Sequence, residues 1–305
     1  MKVLLSGATG LIGRHLVSRV GPVRALVRDV RQARRSLGDV DAVAWDSNAA
    51  VPRGAARDVN TVFHLAGEPL GGRLTEARKQ LIRDSRVLGT RRIVEALREA
   101  DPKPRVLVCA SAVGIYGSRG DESLTEESSL GSDFLADICR DWEKEALAAK
   151  ALGIRVVCAR MGIVLCADGG ALSSIRPAFR LGVGGPLGSG KQWMPWIHIE
   201  DVVGLLLHAA SHSEVEGPFN VCAAEPIRNV DFSRTLGRVM HRPSLLRAPA
   251  AALKIALGDM ADVVLASTRA IPAKAIASGY AFKFTGLEQA LSNVMAAGQA
   301  TAPRV

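Results

Sequence analysis

The sequence predicts an α/β fold, a doubly wound parallel sheet carrying a smaller carboxyl-terminal lobe. Short apolar runs that end at small residues alternate with helical patterns through the first half of the chain. The first of these units places three glycines, Gly7, Gly10 and Gly13, between its strand and its helix. From about residue 164 the alternation loosens into Gly- and Pro-rich stretches and then into Ala/Leu-rich helix. The expected division is therefore a sheet domain over residues 1–165, rejoined by segments around 196–222. A substrate lobe and helical region follow over 166–305.

The opening unit is the one on which the others hang. Val3-Leu4-Leu5 reads as a buried strand ending at Ser6, and Arg14 to Val20 has a helical pattern. Between them lie Gly7, Thr9, Gly10, Leu11, Ile12 and Gly13. Glycine lets the backbone turn and approach a ligand closely, and the opening helix leaves amide donors and positive potential for a pyrophosphate. A glycine-rich turn directly after a strand and before a helix is the context for a dinucleotide.

The second strand is expected at 22–27, followed at once by Arg28. An acidic residue there would accept the ribose hydroxyls of NAD, whereas a guanidinium suits the 2′-phosphate of NADP. Residues 40–45 form the next strand, with Asp46 at its end, facing the adenine edge or capping the turn. The strand at 59–65 closes on Leu65-Ala66-Gly67-Glu68, small residues that pass beside the cofactor. His64, inside the apolar run, reads as a hydrogen-bonded core histidine.

A long helix is expected over 75–100, with a Gly89-Thr90 step for close packing on the sheet and with Arg86 toward the cofactor. The strand at 105–110 ends at Ser111, and Tyr116 follows in the next loop. Doubly wound sheets place substrate beyond the carboxyl ends of their strands, so both hydroxyls are candidates to touch a reacting oxygen. A solvated loop is expected over 118–133, a helix over 134–152, and a strand over 154–159 followed by Arg160, a cofactor-binding candidate. Arg176, Arg180 and Lys191 either meet a phosphorylated substrate or form plain surface. His198 caps or orients the helix expected at 202–210. A strand at 219–221, a helix at 229–240 and a helical tail from 243 complete the reading.

Composition narrows the function. At 305 residues and 48% hydrophobic content the chain can bury a large core. No apolar stretch approaches the roughly 20 residues of a membrane span, and the amino terminus reads as a core strand rather than a leader, so a cytoplasmic location is expected. The five cysteines are scattered without a CxxC pair and read as buried reduced thiols, with no metal site expected. The net charge of +9 suits phosphorylated ligands, and no nucleic-acid-binding motif accompanies it.

Taken together, GATGLIG at 7–13, VFHLAGEPL at 62–70, SRVLGTRRIVEAL at 85–97, SAVGIYG at 111–117 and WIHIEDVVGLLLHA at 196–209 carry a specific resemblance. The chain resembles an atypical branch of the extended short-chain dehydrogenase/reductases, usually labelled an epimerase family and sometimes a cell-division inhibitor. Its carboxyl-terminal run resembles that branch's short terminal domain. The resemblance implies a Rossmann lobe binding NADP(H) and a smaller substrate lobe.

It also exposes a departure. Extended members act through Ser with a Tyr-x-x-x-Lys pair, in which tyrosine is the general acid/base. Counting back from Glu143 puts Leu135 at the tyrosine position and Cys139 at the lysine position, and neither can do that work. The expected function is an oxidoreductase or epimerase on a small or nucleotide-linked carbonyl or alcohol, with Ser111 donating a hydrogen bond and Tyr116 or water carrying the proton. The alternative is an NADP(H)-sensing protein without turnover. The expected partner is a small molecule, with neither nucleic acid nor membrane, in a monomer or homodimer.

Overall fold

The computed structural model describes residues 2–300. Seven parallel strands form the central sheet: β1 (Val3–Ser6), β2 (Val23–Val27), β3 (Asp41–Ala44), β4 (Thr61–His64), β5 (Val106–Ala112), β6 (Arg155–Met161) and β7 (Gly217–Val221). Their spatial order is β7-β6-β5-β4-β1-β2-β3. The order reverses between β1 and β4, the switch point outside which open α/β sheets bind ligands.

Period-two alternation sends successive residues of each strand to opposite faces. Leu5, Ala25, Phe63, Val108, Val157 and Phe219 fill one apolar layer with α1 (Leu11–Val17), α2 (Val30–Leu37) and Val202, Leu205 and Leu206 from residues 199–211. Leu4, Leu26, Val62, Leu107 and Val156 fill the other beneath α3 (Glu76–Arg98) and α4 (Phe134–Leu147). Both faces are covered, so the strands read as continuous apolar runs.

Local chemistry sets the helix ends. Asp29, Thr75 and Asp133 accept hydrogen bonds from the backbone amides of Gln32, Arg78 and Ala136, capping α2, α3 and α4. Gly89 lets α3 pass close to Ser47, where a Cβ would lie 3.0 Å from the Ser47 Cβ. The helix expected over 134–152 is α4 followed by a 3-10 turn, Ala148–Leu152.

Beyond β6 the second lobe begins. Strand Ile163–Cys166 pairs parallel with Trp196–His198 and antiparallel with Gly169–Gly170 in a small separate sheet. Helices α5 (Ala171–Arg180), α6 (Ile199–Ser211) and α7 (Asn229–Val239) follow. The tail is not continuous helix. It breaks into α8 (Ala250–Leu257), α9 (Met260–Leu265), α10 (Ala273–Ala277) and α11 (Leu287–Ala300), and between α9 and α10 the pair Arg269–Ala270 lies parallel to Ser123–Leu124. The expected loop at 118–133 is thus tied to the tail by a short ladder that two-residue strands leave almost no trace of in sequence. Among the described residues no helix is long and apolar enough to cross a membrane.

Candidate functional site

The glycine turn after β1 is built so that only glycine fits at its ends. Gly7 has φ +74, and a Cβ on it would lie 2.7 Å from the Leu65 carbonyl. A Cβ on Gly13 would lie 2.2 Å from the Gly7 carbonyl oxygen. Gly10 differs: its nearest neighbour would be the Gly7 oxygen at 3.2 Å, and the residue is exposed. Gly7 and Gly13 therefore close the turn against β4 and α1, while Gly10 leaves its outer face open. The amides of Leu11, Ile12 and Gly13 open α1, where helical amides have no intrahelical acceptor.

Exposed groups gather along the same edge of the sheet. Thr9 and Gly10 follow β1, Arg28 follows β2, Asp46 follows β3 and Gly67 follows β4, and all five are exposed. Arg28 makes no intramolecular hydrogen bond or ion pair among the described residues. Asp46 caps the turn, its Oδ1 accepting from the Asn48 amide at 2.9 Å.

The Leu65–Glu68 segment is held from behind. Leu65 donates its amide to the Ser6 carbonyl at 3.1 Å, and Glu68 donates its amide to the Ser85 hydroxyl at 3.0 Å. The Arg86 guanidinium donates to the Glu68 carbonyl at 2.9 Å and stacks on the Trp142 ring at 5.2 Å. Glu68 pairs with Arg78 at 2.6 Å. Arg86 and Glu68 thus shape the loop that borders the cradle.

His64 is fully buried, with Nδ1 2.6 Å from the Ser6 hydroxyl and Nε2 3.0 Å from the Thr90 hydroxyl. Burial lowers its pKa to about 4. It is a neutral core histidine that ties β4 to β1 and α3.

Under the carboxyl ends of β5 and β6 lies a buried polar chain. The Ser111 hydroxyl donates to Glu143 Oε1 at 2.7 Å, and Arg160 grips the same carboxylate through Nε at 2.8 Å and a terminal nitrogen at 2.9 Å. The other terminal nitrogen of Arg160 donates to the Tyr116 hydroxyl at 2.9 Å, and that hydroxyl donates to Asn220 Oδ1 at 2.7 Å. Asn220 in turn donates its amide to Glu126 at 3.0 Å.

This network takes up two of the expected site residues. Arg160 is 2% exposed, and each of its three guanidinium nitrogens donates a hydrogen bond inside the protein. Tyr116 is 0% exposed, both faces of its hydroxyl are engaged, and burial pushes its pKa up to about 12. That geometry does not supply the proton carrier expected of it. Ser111 is 3% exposed and turned toward α4.

The two substituted positions behave as their side chains dictate. Leu135 is half-buried against Gly114, whose added Cβ would lie 3.6 Å from the Leu135 Cδ1. Cys139 is buried, and burial pushes its thiol up to about 12, so it stays neutral.

The second lobe reaches the 118–133 loop through Trp193. Arg228 and Arg269 lie over its ring at 4.4 and 4.8 Å, and its Nε1 donates to Asp121 at 2.8 Å. The 118–133 loop is thereby pinned to this lobe. Trp196 is buried instead in the second lobe's core, its Nε1 donating to the Glu225 carbonyl at 3.1 Å. His198 caps α6, its Nδ1 accepting from the Glu200 amide at 3.1 Å.

Asp201 escaped the sequence reading. It is 1% exposed, and it accepts from the Lys283 and Phe284 amides at 2.8 and 3.0 Å and from the Tyr280 hydroxyl at 3.1 Å. It anchors the tail to α6, with partners some 80 residues away that sequence spacing does not reveal.

Comparison with known proteins agrees with this architecture. Residues 3–222 match the NAD dependent epimerase/dehydratase family, and residues 248–294 match a domain of unknown function, DUF1731. The chain is 37% identical over 301 residues to the epimerase family protein YfhF of Bacillus subtilis, covering 97% of this chain and 98% of that one. It is 37% identical over 305 residues to the chloroplastic epimerase family protein SDR39U1 homolog of Arabidopsis thaliana, covering 97% and 87%. The crystal structure of the human epimerase family protein SDR39U1 with NADPH superposes with a TM-score of 0.86 at 30% identity, covering 97% and 99%. With its parallel sheet, its glycine turn and these near full-length matches, the chain belongs to the NAD dependent epimerase/dehydratase family.

Proposed function

We propose that the chain binds NADP(H) along the carboxyl edge of β1, β2 and β4 and acts as an oxidoreductase or epimerase on a small or nucleotide-linked carbonyl or alcohol. The carrying observation is the cradle: Gly7 and Gly13 admit no Cβ, while Gly10 keeps an open face beside the first-turn amides of α1. That combination fits a pyrophosphate approaching backbone. Arg28, exposed and unpaired among the described residues, is placed after β2 to meet a 2′-phosphate. The relative crystallised with NADPH supports the choice of cofactor.

Bound in this way, NADP(H) supplies or accepts the hydride. The chain's own residues position and exclude. Leu65, Ala66 and Gly67 bring a small-residue backbone past the cofactor site, and Arg86 and Arg78 hold that segment. Ser111 and Tyr116 support the site from beneath through Glu143 and Arg160. With Leu135 and Cys139 in place of the acid/base pair, proton exchange with substrate falls to solvent.

A specific observation favours a second reading, an NADP(H)-sensing protein without turnover: each hydroxyl expected to act on substrate is committed inside the buried network. Calorimetric titration with NADPH and NADH, followed by NADPH oxidation across a panel of carbonyl compounds, tests both. Tight NADPH binding with turnover is the expected result. Tight binding with no turnover on any compound transfers the assignment to sensing, and failure to bind either nucleotide overturns both.

A further inference from the structure

The seam between the first helix and the second lobe gathers three donor atoms of different chemistry. His15 Nε2 from α1 lies 3.5 Å from Cys166 Sγ and 3.7 Å from Asp168 Oδ1, and Cys166 Sγ lies 2.8 Å from that same oxygen. We propose that His15, Cys166 and Asp168 form a site for a borderline-soft divalent cation of the zinc type, distinct from the glycine cradle.

The geometry favours coordination over the alternatives. In a tetrahedral zinc site, with bonds of about 2.3 Å to sulfur and about 2.0–2.2 Å to nitrogen and oxygen, the ligand atoms stand roughly 3.4–3.6 Å apart. The imidazole-to-thiol and imidazole-to-carboxylate separations are close to that spacing. The thiol-to-carboxylate separation is shorter because the thiol still holds its proton and donates it to Asp168. Metal binding replaces that proton, and the sulfur and oxygen move apart to the cation's spacing.

A nucleophilic relay is the competing use of these residue types, and the arrangement does not suit one. A relay places the imidazole between thiol and carboxylate and engages its two different nitrogens. Here the same Nε2 faces both partners and the thiol touches the carboxylate directly. Three donors pointing at one spot is what a cation needs.

The surroundings supply the remaining requirements. Arg14 holds the other carboxylate oxygen, Oδ2, at 3.0 Å, which turns Oδ1 toward His15 and Cys166. The His15 and Asp168 side chains are 39% and 41% exposed, so an ion has a path in and a fourth position open to water. Cys166 lies at the end of strand Ile163–Cys166 with only 1% exposure and forms the floor. A cation here would clamp the turn after Cys166 onto α1. Leu11 of α1 already packs beneath that turn, 3.0 Å from where a Gly169 Cβ would stand.

The test uses the full chain, stripped with chelator and titrated with zinc by calorimetry and with cobalt(II) by absorption. The expected result is one ion per chain, a thiolate-to-cobalt charge-transfer band, and a zinc-dependent rise in melting temperature. Cys166→Ser removes the band, and His15→Ala or Asp168→Asn each weakens zinc at least tenfold, with His241→Ala as the unchanged control. His15→Ala alters an exposed side chain and keeps the test readable if Cys166→Ser folds poorly. Absence of stoichiometric uptake by the wild type, or uptake and a cobalt band indifferent to these substitutions, overturns the proposal.

Discussion

Arg160 closes on both carboxylate oxygens of Glu143, at 2.8 and 2.9 Å, with the two side chains only 3% and 7% exposed. Strand β6 and helix α4 are joined through this pair, and Ser111 and Tyr116 hang from it. A buried pair that loses one partner leaves the other charge without compensation, which costs about 3–5 kcal/mol. Glu143→Ala should therefore lower unfolding stability by about that much. Ser111→Ala, which removes one hydrogen bond to a charged group, should cost about 1–3 kcal/mol. Urea unfolding measures both; a Glu143→Ala variant as stable as the wild type would show that the pair does not bind β6 to α4.

The glycines at the cradle separate into two kinds by what a Cβ would meet. On Gly13 it would stand 2.2 Å from the Gly7 oxygen, which is backbone and cannot yield, so Gly13→Ala should destabilise the fold and lose nucleotide binding together. On Gly10 the same oxygen would be 3.2 Å away, a tight contact relieved by a shift of a few tenths of an ångström, so Gly10→Ala should cost less stability than Gly13→Ala yet obstruct the ligand's approach. Thermal melting alongside NADPH titration separates the two. Equal NADPH affinity in wild type and Gly10→Ala would remove that glycine from the binding surface.

Arg28 tests the choice between the two nucleotides. It is exposed and without an internal partner among the described residues, so its replacement leaves no buried charge behind. Charge-assisted hydrogen bonds contribute about 1.5–3 kcal/mol, or roughly tenfold to a hundredfold in affinity. Arg28→Glu should weaken NADPH by about that factor and shift preference toward NADH, with melting temperature unchanged in the absence of nucleotide. An unchanged ratio of the two affinities would place the 2′-phosphate elsewhere.

The fold was legible because each unit of the sheet announces itself locally: an apolar run, a small-residue turn, an amphipathic helix. The strand, glycine turn and helix of the first unit and the burial of His64 inside β4 were readable for the same reason. Arg160 and Tyr116 were not, because a residue at a strand's carboxyl end looks the same in sequence whether it faces a ligand or a buried partner. What decides is Glu143, which lies 17 residues from Arg160 and 32 from Ser111 and reaches them from α4. Asp201 and the tail it anchors were hidden likewise, since the chain separation of those contacts is set by topology and not by any local pattern.

His64 gives the fold a specific response to acid. Its pKa is lowered from 6.5 to about 4 by burial, so the native state resists a proton that the unfolded chain accepts. Above pH 6.5 neither state is protonated and the histidine has no effect. Between pH 6.5 and 4 the unfolded state binds more protons, and stability falls as pH falls; below about 4 both states are protonated and the loss is complete. The integrated loss is about 3 kcal/mol at 1.36 kcal/mol per pKa unit. Carboxylates titrate in the same interval, so the informative quantity is the difference between wild type and His64→Asn, a side chain that does not titrate. Urea midpoints measured from pH 7 to pH 4 should fall more steeply in the wild type, whatever the variant's own stability. Parallel profiles would mean that His64 takes up its proton as readily in the folded protein as in the unfolded one, and that the bonds to Ser6 and Thr90 do not depend on its neutral form.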